Sequence, residues 1–231
     1  MDILRCKFTK QDDMIYTSHL DLQRLLQRAF RRANIEISHS QGFNPHPKIS
    51  YGNALALGTE SQGEYLDLEL EENIDENEFL ERINNTLPKG ISFIKAEYIS
   101  KDVPSLSSSI EYGEYIFKIE LERPLSKEYI KSKIAEIRNS DEIILSKKNK
   151  KGKMVDVDIR PMIRYLDLVD LSESELILTA TIATGSKANL NTNIFIPKIL
   201  EVLNIDLEPI DVDIIRRDLY MMTDGDLVCP L

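Results

Sequence analysis

Between Ser18 and Gly58 the chain gathers most of the residues it has for acid–base or phosphate chemistry. All three histidines, His19, His39 and His46, fall there, with Arg24, Arg28, Arg31 and Arg32 on one short stretch. The run Gly42-Phe43-Asn44-Pro45-His46-Pro47-Lys48 is the most constrained part of it. Two prolines bracket His46 and restrict both Asn44 and His46 to extended backbone. A histidine set in this way beside Lys48 and Tyr51 is suited to moving a proton or reading a phosphate. His46 would act as acid or base, Lys48 would stabilise charge, and Tyr51 would assist. A rigid turn whose imidazole fills a hydrogen-bond slot fits the same residues equally well.

Two basic groupings suggest phosphate contact. At ~100° per residue, Arg24, Arg28 and Arg31 fall within about 60° of arc on a helix. They form a phosphate-contacting stripe, or a solvated face paired with Asp21. Further on, Lys147 to Arg164 holds seven positive residues against Asp156 and Asp158. Within it Lys147, Lys148, Lys150 and Lys151 are candidates for a phosphate clamp at the tip of a hairpin. With Asn44, His46 and Lys48 these are the candidate nucleic-acid contacts.

Three imidazoles can hold a catalytic zinc ion with one position open. Here the intervals are 20 and then 7 residues, which match no short ligand motif, and no CxxC or HxxxH accompanies them. Ser/His/Asp triads, glycine-rich phosphate loops and dinucleotide fingerprints are absent as well. No metal and no cofactor is expected.

The 231 residues carry a net charge of −10, with 42% hydrophobic and 29% charged residues. This is ordinary for a soluble globular chain and argues against bulk polyanion binding. The charge is uneven. Residues 1–53 hold eight Lys or Arg against five acids, +3, which leaves −13 for the remainder. No apolar run approaches ~18 residues and the N-terminus has no signal-peptide core, so no membrane association is expected. Two cysteines, Cys6 and Cys229, cannot build a disulfide framework. The expectation is a reduced, cytoplasmic protein.

The elements that must position these residues read as β-α-β-β-α-β, twice. Leu4, Cys6 and Phe8 alternate with Arg5, Lys7 and Thr9 as in a half-buried strand. Ser18 caps a helix whose Leu22, Leu25, Leu26, Ala29, Phe30 and Ala33 form one apolar stripe. Extended segments follow at Ile49–Tyr51 and Glu64–Leu70, a helix from Asp75 to Leu87, and a strand over Ile91–Ile99. The polar stretch from Ser100 to Ser109 reads as a linker. Beyond it come a strand at Tyr115–Leu121 and a helix at Ser126–Arg138. Strands at Ile143–Ser146 and Met154–Ile159 flank the lysine turn, read as the central hairpin of the module. A strand at Glu175–Ala183, a helix at Thr192–Leu203 and a strand at Val212–Met221 complete it, with an extra segment near Pro161–Leu171. The expected fold is α+β, two tandem ferredoxin-like modules: 1–100, a linker at 101–110, and 111–231. Arg5 and Lys7 are then expected opposite Asp67 and Glu69 on the helix-free face, where Tyr65 alone could stack a base.

The segment SHLDLQRLLQRAFRRANIEISHSQGFNPHPKISYGNALALGTESQGEYLDLEL resembles the N-terminal signature of the bacterial radical-SAM-linked protein family, a domain of unknown function. The likeness continues through Val157-Asp158-Ile159-Arg160-Pro161 and Ile215-Arg216-Arg217-Asp218-Leu219-Tyr220. Ser18, His19, Asp21, Gln41, Gly42, Asn44, Pro45, His46, Pro47, Lys48 and Glu64 match its pattern. His39 departs from it, as does Asn191-Thr192-Asn193 at the start of the last helix. The resemblance implies an accessory protein, not itself catalytic, working with a radical-SAM partner on RNA or a ribonucleoprotein such as the ribosome. The chain lacks the CxxxCxxC motif of the radical-SAM enzyme itself. A second expectation comes from fold analogy with CRISPR repeat-processing nucleases: a metal-independent endoribonuclease using His46, Lys48 and Tyr51.

Overall fold

A computed structural model describes residues 2–148 and 152–231. It is a mixed α/β structure with mostly antiparallel strands, in two compact units: residues 1–111 with 216–231, and residues 112–215. Residues 216–231, read from sequence as the end of the second module, therefore group with the first unit.

In the first unit, β1 (Ile3–Lys10) leads through a 3-10 turn to α1 (His19–Arg32), then to β2 (Ile49–Tyr51), β3 (Glu60–Leu68), α2 (Glu76–Asn84) and β4 (Ile91–Ile99). β1 lies between β4 and β3, antiparallel to both, and β2 pairs with β3. Ser18 caps α1 by accepting from the Asp21 amide, and its hydroxyl donates to the Asp21 carboxylate, a serine N-cap with a side-chain bond added. Leu22, Leu26, Ala29 and Phe30 turn inward from α1. They meet Leu4, Cys6, Phe8, Leu66 and Leu68 from the strands and Phe79 and Ile83 from α2. Phe93 is the hub, stacked on Phe8 at 5.3 Å and edge-on to Phe30 and Phe79, the arrangement the ring quadrupole favours.

The stretch read as a linker contains α3 (Leu106–Ser109), whose Leu106 is fully buried with Ile110, Tyr65 and Leu219. Val103 and Leu106 alone set no periodicity in this serine-rich segment, yet Leu106 anchors it. Residues from Arg216 onward in the tenth strand lie beside β3. Gly63 permits the approach: a Cβ there would sit 2.8 Å from the Arg217 carbonyl oxygen.

In the second unit, β5 (Ile110–Glu120) enters from the first. It is followed by α4 (Lys127–Asn139), β6 (Ile144–Lys148), β7 (Met154–Asp158), β8 (Ile163–Leu171), β9 (Glu175–Ala183), α5 (Thr192–Leu203) and the start of β10 (Asp213–Thr223). β10 ends in a tight Asp224-Gly225 turn, both residues at positive φ, that leads to β11 (Asp226–Val228). β9 lies between β5 and β8. Phe117, Ile119, Ile130, Ile134, Leu178 and Phe195 form the core.

The lysine hairpin corrects an expectation. β6 and β7 pair with each other in a separate two-stranded sheet, and the strand hydrogen-bonded to β9 is β8. Two register shifts, at Ile163/Tyr165 and Leu168/Asp170, break the alternation of β8, which hides a sheet strand in the segment near Pro161–Leu171. The hairpin is an insertion between α4 and β8. Among the described residues no helix is long and apolar enough to cross a membrane.

Candidate functional site

The constrained loop is braced at every level. The Ser38 amide donates to the Glu69 carbonyl at 2.8 Å, and the Lys48 amide to the Ser38 carbonyl at 2.8 Å. Above that, His39 bridges to Pro47, and the Ser40 amide donates to the His46 carbonyl at 2.8 Å. The His46 amide returns a bond to the Ser40 hydroxyl at 3.0 Å. Residues 38–48 thus form a narrow hairpin tied to the end of β3. Pro45 and Pro47 bring no N–H that would need a partner. At the tip, Gln41, Gly42, Phe43, Asn44, Pro45 and His46 are all exposed, and the Phe43 ring is entirely so. Gly42 turns the chain at φ +129°, which side chains with a Cβ rarely adopt. The Asn44 amide nitrogen stands 3.3 Å from His46 Nε2. Donation from that amide makes the ring nitrogen an acceptor.

A groove of about 390 Å³ runs between the end of α1 and the base of this loop, lined by Gln27, Arg31, Asn34, His39, Pro47 and Glu71 among others. The fold therefore brings Arg31 to the loop. Arg24 and Arg28 are exposed further up the helix, and Arg24 pairs with Asp21 at 3.2 Å. The Ser18 hydroxyl first, then Arg24 and Arg28, hold the Asp21 carboxyl below its usual range.

His46, Lys48 and Tyr51 do not form one constellation. Lys48 pairs with Glu69 at 2.9 Å, and Glu69 also receives Lys101 at 2.8 Å. Hydrogen bonds from Lys101 and Lys48 lower the Glu69 carboxyl. The Tyr51 hydroxyl is buried with no hydrogen-bond partner among the described residues, and its ring meets His19 edge-on at 5.7 Å. Burial drives its phenol far above the ordinary value. Lys147 and Lys148 lie in β6; Lys150 and Lys151 lie outside the described residues.

Sequence reasoning missed a buried polar cluster beneath Tyr51. Glu64 receives two bonds from the Arg216 guanidinium, at 2.8 and 2.5 Å, and one from the Ser61 hydroxyl. Arg216 also donates to the Asn53 carbonyl at 2.9 Å. Lys10, 2% exposed, donates to the Ile15 and Thr17 carbonyls at 3.1 and 2.9 Å. With His19 and Tyr51, Lys10 and Glu64 border a cavity of about 10 Å³, which is the size of one water. Burial depresses both the Lys10 ammonium and the His19 imidazole. The signal was legible: Lys10 falls in phase with Leu4, Cys6 and Phe8, and Glu64 in phase with Leu66 and Leu68, so both charges sit on inward-facing positions.

The helix-free face is neutralised differently from expectation. Arg5 pairs bidentately with Asp67 at 2.8 and 2.9 Å, as the register predicts. Lys7 pairs instead with Asp218 at 2.6 Å, and the Tyr65 hydroxyl donates to the same carboxylate. Tyr65 is buried with Leu106, Ile110 and Leu219 and cannot stack a base. Among the described residues no three metal-ligating side chains converge.

The chain belongs to a family described as an uncharacterized protein conserved in bacteria, DUF2344, whose model matches residues 4–192. The resemblance to a bacterial family of unknown function holds at that level, and the description carries no radical-SAM link. No curated protein matches. Among solved structures, the chain is similar to one in the archaeal box H/ACA sRNP Nop10–Cbf5 complex. Identity there is 11% and the TM-score 0.47, over 93% of this chain and 46% of that one. A chain of a Cbf5–Nop10–Gar1 complex gives 10% and 0.48, over 94% and 47%. An unknown protein from Galdieria sulphuraria gives 11% and 0.27, over 96% and 98%. This chain spans about half the length of the first two. At TM-scores below 0.5 these likenesses say nothing of what the chain binds.

Proposed function

We propose that this member of the DUF2344 family is a non-catalytic accessory protein that binds RNA, alone or in a ribonucleoprotein, and presents it to a radical-SAM partner. The observation that carries the reading is the braced Ser38–Lys48 loop with the Arg31 groove at its base. Exposed amide, imidazole and guanidinium groups are held there on rigid backbone, which is what positioning of a phosphate-bearing ligand requires. The partner rests on the resemblance of the Ser18–Lys48 segment to the radical-SAM-linked family. The separate environments of His46, Lys48 and Tyr51 support a binding role over a cleaving one.

Each unit is read as a ferredoxin-like module. The β4-β1-β3 order with β2 on β3 supports this for the first, and β5-β9-β8 for the second, with the β6–β7 hairpin inserted in the latter. Affinity purification of the tagged full chain from its own cells should recover a radical-SAM protein and RNA. Recovery of neither in repeated experiments contradicts the reading.

A further inference from the structure

We infer that Phe43 is a stacking platform for one unpaired RNA base, with Asn44 and His46 at the base's edge. The inference rests on the RNA-binding reading above and adds the class of RNA: single-stranded or looped, not duplex. Three observations carry it. Phe43 is the one large apolar side chain of the 38–48 loop left wholly in solvent, and a ring exposed in this way has no packing role in the fold. The turn that carries it is nonetheless closed directly below, by the two Ser40–His46 bonds, with Gly42 at φ +129° beside it. A ring on rigid backbone loses little freedom on binding. Third, its neighbours Gln41, Asn44 and His46 are exposed and polar. A base needs one aromatic face and hydrogen-bonding groups around its edge, and the tip supplies both. Aromatic rings tolerate any base, while the exposed Asn44 amide carries both a donor and an acceptor with which to read a base edge.

The test uses the full chain and single-stranded RNA oligonucleotides of random sequence, some carrying one 2-aminopurine, with the same RNAs annealed as duplex. Wild-type protein should bind the single strands, quench 2-aminopurine by stacking and prefer single strand to duplex. Phe43→Ala should weaken single-strand binding roughly tenfold or more and abolish quenching, while Phe43→Tyr retains both. Phe43 supports nothing in the core, so both variants should melt with the wild type. Single-strand binding with affinity and quenching unchanged in Phe43→Ala overturns the stacking inference and leaves the RNA-binding reading intact. Absence of binding to any RNA overturns both. If Phe43→Ala loses only the co-purified protein and not RNA, the ring is a protein-docking knob and the inference is wrong.

Discussion

Two polar regions of the first unit stand in contrast. Lys10, His19 and Glu64 put three ionisable groups around one small cavity, with Arg216 bonded to Glu64, where a catalytic centre would ordinarily be sought. The Gly42–His46 tip has a single imidazole and no formal charge, yet every side chain on it is open to solvent. In the first region each charge already has a protein partner: Glu64 holds Arg216, and Lys10 closes the Ile15 and Thr17 carbonyls of the turn before α1. In the second, the loop is closed by the Ser40–His46 bonds, and the tip side chains, with Asn44 and His46 bonded to each other, face solvent. Density of titratable groups marks architecture here, and the proposed site is the one whose side chains are left in solvent.

The largest expected effect belongs to the buried region. Glu64→Ala removes the carboxylate from a guanidinium that is 1% exposed and should destabilise the protein by about 3–5 kcal/mol, read by denaturant unfolding. The surviving folded fraction should bind RNA as the wild type does; lost binding in that fraction would erase the contrast between the regions. A smaller effect belongs to the loop. Ser40→Ala deletes the acceptor for the His46 amide and should cost ~1 kcal/mol of stability. RNA affinity should fall several-fold as the tip loosens; unchanged affinity would mean that the bracing does not matter for binding.

The smallest effect is a pH dependence. Burial first, and the nearby Arg216 and Lys10 cations against the opposing Glu64, lower the folded value of His19 below its unfolded one. The unfolded chain then binds more protons over that interval. The His19 contribution is therefore complete above pH ~6.5 and lost as pH falls below it, levelling off under the folded value. Stability of His19→Gln should be flatter across that window. An equal slope in variant and wild type would place the titrating group elsewhere.

The first unit was largely legible in sequence, because its signals are local. The Ser18 cap, the α1 stripe and the alternation of β1 each report on a few neighbouring residues. The loop's rigidity was visible in Pro45 and Pro47, though the Ser40–His46 bonds that fix it were not. What escaped depends on distant partners. Arg216 meets Glu64 across 152 positions, and Lys7 turns to Asp218 and not Glu69 because β10 lies beside β3. In the second unit the register shifts of β8 mask its alternation, and the regular alternation of β6 and β7 stands out in its place.

The central claim is that the tip of the 38–48 loop is where the protein meets RNA. Ultraviolet cross-linking in living cells, followed by digestion with trypsin and mass spectrometry of nucleotide adducts, tests it most directly. The claim predicts adducts on the peptide spanning residues 33–48, centred on Phe43 and His46 and lost in Phe43→Ala. Adducts confined to the lysine hairpin or to the second unit, with the 33–48 peptide unmodified, would contradict it.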